Sequence, residues 1–471
     1  MSSLNFDILI IGSGPGGTTA AHILSERMES SICIVEEGDE VDSSIKMGGF
    51  KDLTERYRNG GAELIFGKPN ISVAEGKTVG GGSEVNSGIY HPLSENLVDE
   101  WRDKYKIKNF TFDKLNENIN FVENWLGLTQ QKNPGEISQK IIDGSKIINK
   151  EYENTYQWID RSGNKPVKQG MREVFYKKNK KVSLLKKTKV EKIKFEGSRA
   201  VSAVCSSDNK TFKINFRHLI IACGTFQTPL LLNKSGYKFS NKLTFNIHPH
   251  LKIASQFKNS VIDNEKVSNY QIKIPEFNSS IGASINTDQW KALMLLENWN
   301  SFREPDLETQ LGKIGVFYSM IKPKGFGRFY FSKKLNSYFL SYKMTDEDKF
   351  NLYKSSSLLI EMLLGLNSEK IFIASSKFLP ITNKIFFDEK IFLKNFNSLS
   401  IHSVHTFSSL RMGEIQTETD SYGKLRNSTN IYITDSSLIP SPPGVNPQGI
   451  LMTLVHRNIN SLIDMNVFSN I

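Results

Sequence analysis

Cysteine is nearly absent: Cys33, Cys205 and Cys223 are the only three, and they lie far apart in the chain. The odd count argues against a disulfide framework, and no pair has the short spacing of a zinc site. Cys33 and Cys223 sit within or beside apolar runs and read as small buried hydrophobes. No grouping of His and carboxylates suggests a metal site either, so no metal is expected. Long apolar runs are missing too, with nothing near the roughly 18 consecutive apolar residues of a membrane span. The apolar stretch at 8–11 has no Lys or Arg before it and is interrupted by the glycines of 12–17. It is not a signal peptide, and the expected location is the cytoplasm. Internal repeats and low-complexity linkers are also lacking.

Acidic residues are in deficit. Lys and Arg number 60 against 49 Asp and Glu, which gives a formal net charge of +11. Lys177, Lys178, Lys180, Lys181, Lys186 and Lys187 form the densest basic stretch. Such charge can favour an anionic substrate, a membrane surface or nucleic acid. Just beyond it, however, Lys192 and Lys194 alternate with Ile193 and Phe195, the pattern of a strand with one wet face. Charge alone specifies no site, so nucleic acid is not an expected partner. The 38% hydrophobic and 23% charged content suits an ordinary folded chain. A length of 471 residues allows two or three structural units at roughly 150 residues each.

The first segment is the most legible. Residues 7–11 (DILII) form a short apolar run suited to a buried parallel strand. A glycine-rich turn follows, then helix formers over 18–27 with apolar residues at helical spacing. A second strand-like run, 31–35 (SICIV), ends at Glu36. This predicts a βαβ unit that opens a doubly wound sheet. Gly12, Gly14 and Gly17 give G-x-G-x-x-G in the turn, with Pro15 and Gly16 inside it. The first glycine permits the tight turn, the second lets backbone approach a pyrophosphate, and the third allows close helix packing. The free N–H groups of the helix start then face the phosphates. Glu36 stands 24 residues after Gly12, near the usual ~20 for an acid that hydrogen-bonds a ribose. An acid there favours FAD or NAD over NADP and does not choose between them.

Further apolar runs at 217–222 (RHLIIA) and 430–434 (NIYIT) read as strands of the same kind. Between them, 325–330 (GFGRFY) and 337–342 (SYFLSY) read as antiparallel and half-exposed. The expected class is α/β: a nucleotide-binding domain assembled from 1–90, 165–244 and 396–471. An α+β substrate domain on an antiparallel sheet is inserted as 91–164 and 245–395. A second glycine-rich segment, 80–88 (GGGSEVNSG), suits backbone contact with a cofactor. Towards the end, His405 precedes Arg411-Met412-Gly413, and 430–437 (NIYITDSS) and 443–448 (PGVNPQ) lead into a helix from Gly449.

Taken in order, these motifs resemble the glucose–methanol–choline (GMC) family of flavin-dependent alcohol oxidoreductases. The resemblance covers 12–38, 77–90, 168–236, with 223–229 (CGTFQTP) inside it, and 403–463. The inserted regions, the substrate side in that family, carry little of it. It implies a Rossmann-type FAD-binding domain whose loop of Gly12, Gly14, Pro15, Gly16 and Gly17 holds the FAD pyrophosphate. Glu36 then binds the adenosine ribose, and the backbone of Val190 meets the adenine. Gly81, Gly82 and Asn86 lie along the flavin, and Asp435 and the Asn446-Pro447 pair lie near the pyrophosphate and the isoalloxazine ring. The family's active-site histidine matches His405, and its second catalytic position, a His or Asn, matches Asn446. Val85 stands where some members attach FAD through a histidine, so the implied FAD is non-covalent. Glu84 departs from the small or neutral residue more common there, and the sequence gives no account of it.

Oxidising an alcohol removes a hydroxyl proton and a carbon-bound hydride. Flavin N5 can accept the hydride, so the protein must supply a proton acceptor and hold the alcohol. Neutral imidazole has the right pKa range for that acceptor. An amide cannot take the proton but can donate a hydrogen bond to the oxygen. Among eight histidines, His22, His218 and His456 read as structural or solvated. His91, His248 and His250 read as hydrogen-bonded loop residues that could also line a pocket. The bare residues leave His402 and His405 open, and the spacing to Arg411-Met412-Gly413 favours His405. The expected protein is an FAD-dependent enzyme that oxidises the CH–OH group of a small alcohol, polyol or sugar. Substrate identity, electron acceptor and oligomeric state stay open. Two alternatives remain: another flavin reaction, such as isomerisation or decarboxylation, and a non-catalytic FAD-binding protein. The His405 and Asn446 pair argues against the latter.

Overall fold

The computed structural model describes residues 3–468 apart from 42–44, 46, 164–165, 180, 263–264, 266, 297–309, 333 and 384–386. Lys180 of the basic stretch and the expected boundary between 164 and 165 thus lie outside the described residues. Strand β1 (Ser3–Ile11), helix α1 (Pro15–Arg27) and strand β2 (Ile32–Val35) form the expected βαβ unit. β1 and β2 run parallel, with Ile8 opposite Ile32 and Ile11 opposite Val35. Both runs lack alternation because both faces of the sheet are covered, and Ile8, Leu9, Ile10, Cys33 and Ile34 are fully buried. α1 begins at Pro15, where a missing N–H costs nothing. Its first turn packs on bare backbone: a Cβ on Gly16 would stand 1.6 Å from the Thr434 carbonyl oxygen.

β1 also runs parallel to the long strand Lys210–Ile221, whose far end runs parallel to Ile431–Ile433. The apolar runs at 217–222 and 430–434 are therefore strands of one sheet. Ser183–Leu185 closes one edge beside β2, and Arg199–Ser207 and Lys189–Glu196 extend the other side antiparallel, making seven strands. In Lys189–Glu196, Ile193 is buried while Lys192 and Lys194 are exposed, which is the wet face read from the sequence. The last helix, Gln448–Asp464, lies against α1.

A second, nine-stranded sheet is largely antiparallel and has its own hydrophobic core. Its central strand, His250–Phe257, pairs with Ile314–Ile321, Ser368–Ile373 and Ile401–Ser403. Glu63–Ile65 and Ile71–Val73 belong to this sheet, so the stretch 1–90 supplies strands to both. A smaller sheet joins Thr244–Ile247 to Thr406–Phe407 on one side and to the antiparallel pair Phe326–Ser332 and Ser337–Lys343 on the other. His248 follows the strand Thr244–Ile247, and His405 precedes Thr406–Phe407. Pairing of Ile247 with Thr406 and of His250 with His402 brings these two corners together. Among the described residues, no helix is long and apolar enough to cross a membrane.

Candidate active site

A cavity of about 770 Å³ runs from the first βα turn to the two histidine corners. Gly12, Gly14, Pro15, Gly16, Glu36, Val190 and Asp435 line it, together with Gly81, Gly82, Asn86, His405, Asn446 and Pro447. Gly17 alone of the expected residues is off the wall; it is buried, and a Cβ there would lie 2.0 Å from the Gly12 carbonyl oxygen. Its role is packing.

At one end, α1 has Gly14 at its N-cap and no side chain closing its first amides. A Cβ on Gly14 would meet only the Cα of Gly81, at 3.9 Å, so two stretches of bare backbone meet at the cavity wall. Glu36 is buried and accepts from the Ser13 amide at 3.0 Å, the Ser13 hydroxyl at 2.8 Å and the Gly38 amide at 2.8 Å. Burial raises its pKa, against these three donors. A carboxylate has about four acceptor positions, which leaves one for a ribose hydroxyl. The open helix terminus, the acid and the glycine backbone together fit FAD.

Two expected residues act through what they tie. The Asp435 carboxylate turns inward, accepting from the Gly224 amide at 3.0 Å, Thr228 Oγ1 at 2.5 Å and the Ser437 amide at 2.9 Å. It fixes the loop that begins at Cys223, and Cys223 itself packs against the core but is only half-buried, with one side on the cavity wall. Asn86 donates to Gln448 Oε1 at 2.6 Å and accepts from the Gly88 amide at 2.9 Å, so it holds the glycine segment to the start of the last helix.

Sequence reasoning missed Lys168. Its ammonium donates to the carbonyls of Ser83 at 2.8 Å and Asn86 at 2.9 Å, clamping the glycine segment from behind. Burial pushes Lys168 down to about 8, and the charge of Glu84 opposes that. Glu84 now has an account: it accepts from the Arg172 amide at 3.3 Å, at the start of helix Met171–Lys178, with Lys168 as its cation. The odd acid at 84 was the available signal, since a buried carboxylate calls for a cation. Glu75 was also missed. It lines the cavity, and burial together with the nearby Glu63 raises it to about 7, against Arg58.

At the other end, His405 Nε2 lies 3.3 Å from Asn446 Nδ2 and His405 Nδ1 lies 3.1 Å from His248 Nδ1. His248 Nε2 accepts from the Gly444 amide at 3.0 Å. The His250 ring centroid is 5.3 Å from that of His405, and His402 shares the cavity wall. Burial, with repulsion from His91 once that ring is protonated in acid, lowers His405 to about 3, so the ring is neutral near pH 7. The reading of His250 as a loop residue is corrected, because it opens a strand, with Nδ1 unpartnered. His91 is a buried loop residue with Gln271 beside its ring. Both are kept neutral by burial, which removes the need for a counter-charge. His22 stacks on Trp125 and His456 on Phe121, both away from the cavity wall.

A family model described as GMC oxidoreductase matches residues 7–252, and its C-terminal counterpart matches 341–454. An uncharacterised GMC-type oxidoreductase of Sinorhizobium fredii is 29% identical, over 96% of this chain and 94% of its own. A long-chain-alcohol oxidase of Arabidopsis thaliana is 22% identical, over 96% of this chain and 67% of its own. Among solved structures, pyridoxine 4-oxidase from Mesorbium loti superposes with a TM-score of 0.75 at 14% identity, covering 97% of this chain and 99% of that one. A formate oxidase superposes at 0.77 with 13% identity and 99% coverage of both, which speaks for a shared fold. With over half of its length matched by the family model, the chain belongs to the GMC oxidoreductase family and is an FAD-dependent oxidoreductase.

Proposed function

We propose that the protein oxidises the CH–OH group of a small alcohol, polyol or sugar, with His405 taking the hydroxyl proton and Asn446 holding the oxygen. The carrying observation is that His405 Nε2 and Asn446 Nδ2 lie 3.3 Å apart on the wall of the cavity that also contains the open start of α1. Bound FAD would supply the acceptor for the hydride. His405, neutral through burial, can accept a proton at Nε2. Asn446 can offer an N–H to the same oxygen and stabilise charge as it develops. Pro447 and Gln448 aim the start of the last helix at this spot, which favours negative charge there. Alcohol substrates also appear in the names of two relatives, the Arabidopsis long-chain-alcohol oxidase and the Mesorbium pyridoxine oxidase. With Val85 beside Asn86 on the cavity wall, FAD is held without a covalent bond.

His405→Ala and Asn446→Ala, each retaining FAD, test the assignment. Turnover should fall by about 10²- to 10⁴-fold for the first and by about 10²-fold for the second. A His405→Ala variant with FAD bound and wild-type turnover would remove the proposal.

A further inference from the structure

His405 touches polar partners on both ring nitrogens, and the chain they form has a direction. It starts at the Gly444 amide, which can only donate, 3.0 Å from His248 Nε2. His248 Nε2 therefore carries no proton, and the neutral ring bears its proton on Nδ1. That nitrogen faces His405 Nδ1 at 3.1 Å, so His405 must accept there and bear its own proton on Nε2. The next group is the Asn446 amide at 3.3 Å, whose Oδ1 is buried and unpartnered while Nδ2 faces the ring. A half-turn of that amide exchanges the two atoms without changing its shape, gives Oδ1 the His405 N–H, and frees Nδ2 for the cavity. Each of the three links from Gly444 to Asn446 then joins one donor to one acceptor. With Nδ2 left towards His405, two N–H groups confront each other somewhere along the chain, because two neutral rings share only two protons.

We infer that His248 is a positioning residue which, tied by the Gly444 amide, holds resting His405 as its Nε2–H tautomer and aims the Asn446 N–H at the substrate oxygen. This rests on the reading of His405 as the group that handles the hydroxyl proton. A base needs a bare Nε2. That form carries the same two protons on His405 Nδ1 and His248 Nε2, and it sets His248 Nε2–H against the Gly444 N–H. The loss of that buried bond restricts the base form to on the order of one molecule in ten or fewer. His248 and His250 are both held neutral by burial, so no further proton enters the chain.

The test is ¹⁵N NMR of histidine-labelled holoenzyme, with His405 assigned from the signals missing in His405→Asn. Nε2 should appear protonated and Nδ1 bare. His405 with the proton on Nδ1 overturns the inference. In His248→Asn the side-chain amide can face His405 in either sense and no ring nitrogen meets Gly444. The Nδ1–H form of His405 should then rise to about half of the molecules, roughly fivefold or more, and an unchanged spectrum overturns the role of His248. If His248→Asn does not hold FAD, the wild-type spectrum alone decides. Failure of the His405 reading looks different: turnover survives in His405→Ala whatever the tautomer.

Discussion

Lys168→Met is the most informative single substitution outside the histidines. It removes two charge-assisted hydrogen bonds, to the Ser83 and Asn86 carbonyls, worth about 1.5–3 kcal/mol each. It also relieves the protein of holding an ammonium ion in its interior. The fall of Lys168 from 10.5 to about 8 corresponds to a burial cost of about 3 kcal/mol. These two effects largely cancel, but the buried Glu84 carboxylate is left without its cation, so apoprotein stability should fall by about 3 kcal/mol. The glycine segment loses its clamp as well, and Gly81, Gly82 and Asn86 line the cavity. FAD should bind about 10- to 100-fold more weakly, a cost of about 1.4–2.8 kcal/mol. Isothermal titration of apoprotein with FAD, alongside thermal unfolding, separates the two quantities. A second signature is alkaline. The folded pKa of Lys168 lies below the unfolded one, so the unfolded chain binds more protons between about 8 and 10.5 and stability rises with pH across that window. Lys168→Met should lose that rise. FAD affinity within twofold of wild type, or an unchanged alkaline rise, would refute the reasoning.

Gly14→Ala and Gly16→Ala should fail differently. A Cβ at 14 meets nothing closer than 3.9 Å, so the protein should fold normally but bind FAD at least about tenfold more weakly by calorimetry. A Cβ at 16 falls 1.6 Å from the Thr434 carbonyl and should cost about 3 kcal/mol or more in denaturant unfolding. His405, lowered to about 3 by burial and His91, should put no acid limb on kcat/KM between about pH 5 and 8, as steady-state kinetics can check. Since its folded pKa lies below the unfolded one, its contribution to stability is complete above about 6.5 and declines as pH falls towards 3. Acid precipitation should release free flavin into the supernatant; flavin that stays with the pellet would place a covalent bond where none is proposed.

The parts of the fold legible in the sequence were those fixed by local backbone demands. Gly12, Gly14 and Gly17 announce a turn in which backbone meets backbone, and 7–11 and 31–35 lack alternation because helices or sheet cover both faces. The basic stretch was legible only as charge. In the folded chain Lys187 pairs with Asp39 at 2.7 Å and Lys181 with Glu29 at 3.5 Å, partners far away in sequence. The same distance hid most of the histidine cluster. His248 and His405 are joined only because the strand after Leu243 pairs with the strand at 406–407, and no spacing in the chain records that. Glu84 looked anomalous for a related reason, since Lys168 and the helix start that account for it arrive from more than 80 residues away.

The central claim is that one cavity holds FAD beside a histidine and an asparagine that act on an alcohol. The direct measurement is the absorbance spectrum of the purified protein before and after anaerobic addition of a panel of alcohols, polyols and sugars. Flavin bands that bleach with a member of the panel in the wild type, and stay in His405→Ala, are the predicted result. A protein that takes up no flavin even after incubation with FAD, or whose flavin bleaches equally well without His405, would contradict it.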